Sequence, residues 1–193
     1  MGLHQGGDNL MKVCTFLTDG FETVECLAVV DILRRAGIDV DTISITGKKE
    51  VVSAQGVTVI ADYLFGSYEF DGEETLFLPG GPGTKNYFDR KVLLNLLKEH
   101  FERNGRLVAI CAAPSVFGKL GFLKGRKAVC FPGYEDSLEG ATCLGDSVNV
   151  VTDGNITTSR GMGTSIDLGL ELVKLLIDEK TAKHLAKKIQ YER

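Results

Sequence analysis

Two hydrophobic patterns, short apolar runs and apolar residues at helical spacing, take turns along the chain. They predict that strands and helices alternate. Short apolar runs, typical of strands buried on both faces, occur at 12–18, 75–78 and 107–110. Apolar residues recur at three- and four-residue spacing over 24–36 and after Asp89, which is typical of helices with one buried face. Strands that alternate with helices favour right-handed crossovers and a parallel sheet. The pattern therefore predicts a doubly wound α/β sandwich, with helices on both faces of a mostly parallel sheet.

The remaining elements follow from the same periods and from turn residues. They are strands at 38–45, 50–52, 57–60 and 127–131, a hairpin of 148–152 and 156–159 with an Asp153-Gly154 turn, a helix that follows Gly161-Met162-Gly163 and ends near Glu179, and a last helix over 181–191. Residues 1–10 are polar and glycine-rich and are predicted to be a leader outside the fold. Residues 11–193 are therefore expected to form one domain.

Composition narrows the classes of function. A net charge of −4 gives no electrostatic reason to expect nucleic acid or an anionic membrane as a partner. No apolar run approaches the roughly 20 residues that span a bilayer, and no secretory signal is expected. Five cysteines, an odd number without metal-binding or C-x-x-C spacing, favour the reducing cytoplasm and no metal site. No dinucleotide or Walker A motif is complete, so no cofactor is expected.

The candidate for chemistry is Cys111, which directly follows the apolar run Leu107–Ile110. Two alanines and Pro114 come next, and proline is well placed in the first turn of a helix. A thiol between a strand and a helix N-terminus lies where backbone N–H groups stabilise a thiolate, with a pKa lowered from about 8.5 to about 5.5. The alternative is a buried cysteine that serves only as a small apolar side chain.

Two further loops end at the same predicted edge of the sheet. The loop over 18–25 supplies Glu22 and Glu25, which could also be simple partners of the helix dipole. The loop over 78–87 contains Gly80 and Gly81, whose N–H groups could form an oxyanion pocket, although glycines also suit a plain tight turn. Glu25 would support a thiolate only when protonated, because an ionised carboxylate would repel it.

Five stretches in these regions resemble, in the same order along the chain, the DJ-1/PfpI (ThiJ) superfamily. They are Glu22-Thr23-Val24-Glu25, Arg34-Arg35-Ala36-Gly37, Leu78-Pro79-Gly80-Gly81, Ala109-Ile110-Cys111-Ala112-Ala113-Pro114 and Thr158-Ser159-Arg160-Gly161-Met162-Gly163-Thr164-Ser165. The resemblance implies a flavodoxin-like sandwich that is usually dimeric, with Cys111 as the nucleophile-elbow cysteine and Glu25 hydrogen-bonded to its sulfur. Residues expected to form the oxyanion and substrate pocket are Gly80, Gly81, Ala112, Arg160 and Phe131.

Two positions depart from the pattern of that superfamily. Its PfpI-type peptidases have histidine directly after the cysteine, where this chain has Ala112. Its DJ-1 branch often has histidine before the proline that matches Pro132, where this chain has Phe131. His100, in a predicted helix, is expected to be structural. A Cys–His dyad is therefore not expected, and peptidase or amidase activity is disfavoured.

The resemblance implies a cysteine-dependent DJ-1-like protein that acts on reactive carbonyls such as methylglyoxal, or on their adducts with amines and thiols. This is glyoxalase- or deglycase-type chemistry, of a hydrolase or lyase, and the chain is expected to work as a homodimer without a cofactor. The alternative is a non-enzymatic oxidative-stress sensor or redox chaperone, in which Cys111 oxidises to a sulfinate. Cys26 and Cys130 adjoin the candidate site in sequence and are expected to be buried fillers.

Overall fold

The computed structural model describes residues 11–191, so the predicted leader at 1–10 lies outside the described residues. Its strands, in chain order, are β1 (Lys12–Leu17), β2 (Asp39–Ser44), β3 (Glu50–Val52), β4 (Thr58–Ile60), β5 (Tyr63–Leu64), β6 (Thr75–Leu78), β7 (Leu107–Ile110), β8 (Lys127–Ala128), β9 (Thr142–Cys143), β10 (Val150–Asp153) and β11 (Ile156–Ser159). Its α-helices are α1 (Thr23–Arg35), α2 (Lys85–Phe88), α3 (Lys91–Glu102), α4 (Pro114–Lys119), α5 (Ser165–Leu176) and α6 (Glu179–Lys188).

Seven strands form the central sheet, in the order β10-β11-β7-β6-β1-β2-β5. All neighbours are parallel except β10 and β11, which form the predicted hairpin around Gly154 and Asn155. The mostly parallel sheet predicted from the sequence is thus confirmed. Because β1, β6 and β7 run in the same direction, the loops that follow them meet at one edge of the sheet.

Alternate residues of the central strands enter two separate apolar cores. In β1, Val13 and Leu17 pack in the core under α1, α5 and α6, whereas Cys14 and Phe16 pack in the core under α3 and α4. Helices therefore cover both faces of the sheet, and the fold is the doubly wound flavodoxin-like sandwich. No helix in the described range has the length and apolar character needed to cross a membrane.

The strand predicted at 127–131 is much shorter in the structure. Only Lys127 and Ala128 form β8, which pairs with β9 in a small sheet of its own. The following N–H groups bond elsewhere: that of Val129 donates to Thr158 Oγ1 at 3.0 Å, and that of Phe131 donates to the Cys111 carbonyl at 2.8 Å. The chain leaves strand geometry because these bonds tie it to the neighbourhood of the central sheet.

Helix boundaries differ from the prediction at two places. Asp89 ends α2, and Arg90 is the residue that precedes α3. The helix predicted to end near Glu179 stops at Leu176, and the last helix, predicted from residue 181, begins at Glu179. Asp178 precedes that helix and accepts a hydrogen bond from the Thr181 N–H.

Candidate active site

Cys111 occupies the sharp turn between β7 and α4. Its φ is +65°, in the left-handed region that costs a non-glycine residue about 1–3 kcal/mol. Main-chain bonds hold this conformation: the Cys111 N–H donates to the Ser159 carbonyl at 3.0 Å, and the Cys111 carbonyl accepts from the Phe131 N–H at 2.8 Å. Pro114 takes the first turn of α4, as the sequence predicts. The half-buried sulfur therefore stands at the carboxyl end of a central strand.

Glu25 lies in the first turn of α1 and is only 1% exposed. Its Oε2 accepts a hydrogen bond from the Gly80 N–H at 3.0 Å. The Met162 N–H also donates to the carboxyl group, and the Cys111 thiol is hydrogen-bonded to it. Segments that follow β6, β7 and β11 thus converge on one buried carboxyl group.

The two glycines after β6 make this close approach possible. A Cβ at Gly80 would lie 2.6 Å from both Cys111 Cβ and Glu25 Oε2, and 2.7 Å from the Ile110 carbonyl oxygen. Gly81 has a φ of +94°, and a Cβ there would lie 2.6 Å from the Glu22 nitrogen. A larger residue at Gly80 would push the loop away from the thiol and the carboxyl group, and one at Gly81 would push it away from the backbone of residues 20–22.

Of the three residues expected to bring an N–H group to the sulfur, Gly81 and Ala112 do so and Gly80 does not. The sequence favours Gly80 and Gly81 together, but the Gly80 N–H donates to Glu25. The donors to the Cys111 sulfur are the N–H groups of Gly81 and Ala112. An oxygen that developed negative charge beside this sulfur would therefore meet these two donors first.

The protonation states of Cys111 and Glu25 depend on each other. Burial, and then the charge of Glu22, raise the pKa of Glu25 to about 7. Burial, and then the charge of Glu25, raise the pKa of the Cys111 thiol to about 12, whereas the N–H groups of Gly81 and Ala112 lower it. This direction is opposite to the lowered thiol pKa predicted from the sequence, because burial disfavours the thiolate and an ionised Glu25 would place two like charges in contact.

The repulsion disappears when Glu25 carries its proton. A neutral carboxyl group can donate its O–H to the sulfur, and the pair then holds a single negative charge. A thiolate at Cys111 therefore requires a protonated Glu25.

Phe131 and Arg160 occupy different places around the site. The Phe131 side chain is 47% exposed, and its Cδ2 would lie 3.2 Å from a Cβ at Gly161, beside Glu25. Arg160 is held by the loop before β10. Its backbone N–H donates a hydrogen bond to the Asn149 carbonyl at 3.3 Å, and its guanidinium donates one to the Asp146 carbonyl at 3.4 Å. Among the described residues no ion pair joins Arg160 to Glu25, so this cation lies at the rim rather than on the carboxyl group.

Two contributors to the site were missed by sequence reasoning. The Ser159 carbonyl fixes the Cys111 backbone, and the Met162 N–H supports Glu25. Both lie in the stretch 158–165 that carries the resemblance, but backbone groups leave no side-chain signature. A donor of this kind becomes visible only when the fold brings β11 beside β7.

His100 lies away from the site, as the sequence analysis expects. It is buried, and a Cβ at Gly105 would fall on its ring. Gly105 precedes β7, whereas Cys111 follows that strand, so His100 lies at the opposite edge of the sheet. Within residues 11–191 no group of three or more His, Cys, Asp or Glu side chains is placed to hold a metal ion.

Comparisons with known proteins agree with this geometry. A family model described as the DJ-1/PfpI family matches residues 11–175. Protein dj-1beta of Drosophila melanogaster is 32% identical over 172 residues, covering 89% of this chain and 92% of that protein. DJ-1 homolog B of Arabidopsis thaliana is 35% identical over 174 residues, covering 89% of this chain but only 39% of that longer protein. The solved structure of oxidized Toxoplasma gondii DJ-1 is 30% identical, with a TM-score of 0.85 over 95% of this chain and 100% of that one. This chain belongs to the DJ-1/PfpI family.

Proposed function

We propose that this protein is a cysteine-dependent enzyme of the glyoxalase or deglycase type, which acts on reactive carbonyls such as methylglyoxal or on their adducts with amines and thiols. The observation that supports the proposal is the contact between the half-buried Cys111 thiol and the buried Glu25 carboxyl group. Two N–H groups beside the sulfur, from Gly81 and Ala112, provide the place for an oxyanion.

In the proposed reaction with methylglyoxal, the Cys111 sulfur adds to the aldehyde carbon. The thiol passes its proton to an ionised Glu25, the C–S bond forms, and the carbonyl oxygen takes that proton from Glu25, so the product is a hemithioacetal. Glu25, now ionised, removes the hydrogen from that carbon and returns a proton to the neighbouring carbon, while the hydroxyl proton of the first carbon passes to the carbonyl oxygen of the second. The product is a thioester. Water then hydrolyses the C–S bond, so that lactate leaves and the thiol is restored. The balance is one methylglyoxal and one water consumed for each lactate formed.

Lactate production measured with purified protein tests this proposal. We expect Cys111→Ala to abolish turnover and Glu25→Gln to lower kcat by about 100-fold or more, the usual contribution of an acid–base group. Glu22→Gln is the matched control, because Glu22 lies near the same helix N-terminus but bonds the Gln55 side chain instead of the thiol. Lactate production that persists in Cys111→Ala would refute the proposal.

A sensor role for the same cysteine is the second candidate. A Glu25 carboxyl group that keeps its proton near neutral pH could donate to a sulfinate on Cys111. The oxidized structure of the Toxoplasma gondii relative also motivates this reading. Peroxide treatment followed by mass analysis separates the candidates: a selective gain of two oxygen atoms on residues 107–119, without turnover of methylglyoxal, would favour the sensor.

We further propose that the chain acts as a homodimer in a reducing compartment such as the cytoplasm. Support comes from its family and from five cysteines that are all unpaired. Analytical sedimentation of the protein at micromolar concentration tests the homodimer, and a monomer at that concentration would contradict it.

A further inference from the structure

Cys130 and Cys143 form a second pair of thiols, separate from Cys111. Cys143 is the partner of Ala128 in the parallel pairing of β8 with β9. Cys130 follows Ala128 by two residues, just beyond the end of β8. The two thiols are in contact through a hydrogen bond, and both side chains pack in the core under α3 and α4.

Solvent reaches the two sulfurs unequally. Cys130 is 5% exposed, whereas Cys143 is half-buried and is followed by the exposed residues 145–148. The other two cysteines outside the site differ from this pair, because Cys14 and Cys26 are fully buried. An oxidant from solution would therefore meet Cys143 first.

We propose that Cys130 and Cys143 are a redox couple that closes to an intramolecular disulfide when a hydroperoxide reaches Cys143. In the first step the Cys143 sulfur attacks the O–O bond, which gives a sulfenic acid and releases an alcohol, or water from hydrogen peroxide. In the second step the Cys130 sulfur attacks the Cys143 sulfur and displaces the hydroxyl group. That hydroxyl leaves as water with the proton of Cys130, so one hydroperoxide is reduced for each disulfide formed.

The environment of Cys130 keeps this residue protonated before the second step. Burial, and then the neighbouring Cys143 and Glu135, raise the pKa of Cys130 to about 12, so it remains a thiol until the sulfenic acid forms beside it. Closing the bond requires the sulfurs to move from contact to about 2 Å. Exposed chain on the far side of Cys143 leaves room for that adjustment.

The couple lies on the rim of the Cys111 site. Phe131 directly follows Cys130, and its N–H holds the Cys111 carbonyl. Asp146 comes three residues after Cys143, and its carbonyl accepts the Arg160 guanidinium. A disulfide would therefore join covalently the two segments that support the rim.

Peptide mapping of the full chain tests the proposal. Trypsin releases both cysteines of the couple in one peptide, residues 128–160. Cys14 and Cys26 leave together in peptide 13–34, and Cys111 leaves in peptide 107–119. The protein is treated with hydrogen peroxide and then alkylated with N-ethylmaleimide in denaturant before digestion. We expect peptide 128–160 to lose two hydrogen atoms and to resist alkylation until dithiothreitol is added, whereas peptide 13–34 is alkylated at both thiols. Cleavage after Glu135 and Glu139 should leave two fragments joined by the disulfide.

Three variants separate this couple from the chemistry of Cys111. Cys111→Ala is expected to form the disulfide to the same extent as the parent protein. Cys130→Ser should instead leave a Cys143 sulfenic acid that dimedone traps, and Cys143→Ser, at the more exposed position, should leave Cys130 reduced. The proposal is overturned if both thiols stay alkylatable at a peroxide concentration that oxidises Cys111, or if Cys143 gains two oxygen atoms without forming the disulfide.

Discussion

Replacement of Glu25 by glutamine is expected to change how stability depends on pH. Burial raises the pKa of Glu25 from 4.5 to about 7, so the folded protein holds this proton more tightly than the unfolded chain. Between these two values the unfolded chain releases the proton while the folded protein retains it. The free energy of unfolding therefore falls as pH rises through this window, and it remains lower above pH 7.

The size of the effect follows from the two pKa values. At about 1.4 kcal/mol per pH unit, the shift corresponds to a loss of about 3 kcal/mol when Glu25 is fully ionised. This is a large share of the roughly 5–15 kcal/mol that stabilises a typical domain. Glutamine is neutral throughout, so Glu25→Gln should lack this decline. Between about pH 4 and pH 8, the free energy of unfolding of the variant should therefore rise relative to that of the parent by up to about 3 kcal/mol.

Urea denaturation at a series of pH values, with dithiothreitol to keep Cys111 reduced, measures this difference. Glu50→Gln is the control, since Glu50 is exposed in β3 and does not influence the pKa of Glu25. The reasoning is refuted if the free energies of unfolding of Glu25→Gln and of the parent differ by an amount that stays constant within about 0.5 kcal/mol from about pH 4 to pH 8. Such a result would mean that Glu25 titrates alike in the folded and unfolded states.

Three further predictions concern the backbone around the site and the end of the fold. Gly80→Ala should lose about 1–3 kcal/mol of stability, because its Cβ would clash with fixed atoms. Gly163→Ala is the control, since its Cβ would have nothing within 4 Å, and equal melting temperatures of the two variants would contradict the prediction. Cys111→Gly should be about 1 kcal/mol more stable to urea than Cys111→Ala, because the residue has a φ of +65°; the reverse order would show that the turn is unstrained. Asp178→Ala removes the acceptor of the Thr181 N–H and should lower the melting temperature, with Asp178→Asn as the control that keeps the bond.

Local patterns predict those parts of the fold that local forces determine. The apolar run Leu107–Ile110, the small residues after Cys111 and the position of Pro114 suffice to predict a strand, a tight turn and a helix. The turn at Asp153-Gly154 likewise predicts the hairpin of β10 and β11. Tyr63–Leu64 could not be predicted as a strand, because a two-residue segment has no period and is defined by its pairing with β2.

The candidate site also has features that the sequence predicts and features that only the fold reveals. Cys111, Glu25 and Gly81 could be picked out because their residue types suit the chemistry or because a resemblance points to them. The clash that excludes a side chain at Gly80, the donation from Met162 and the raised pKa of Glu25 all arise between segments distant in sequence. They depend on distances of a few ångströms, which spacing along the chain does not encode. The wrong direction for the Cys111 pKa has this origin, since the burial of the thiol became known only with the fold.

The turn at Cys111 is anchored on both sides by peptide groups, from Ser159 and Phe131. Peptide groups are common to nearly all residue types, and only proline at 131 would remove the N–H that this anchor needs. The side chain at 131 is thus free to vary without cost to the anchor, and the histidine common at this position in the DJ-1 branch would donate the same bond as Phe131. Within one scaffold, the chemistry around the thiol can diversify while the thiol itself stays in place.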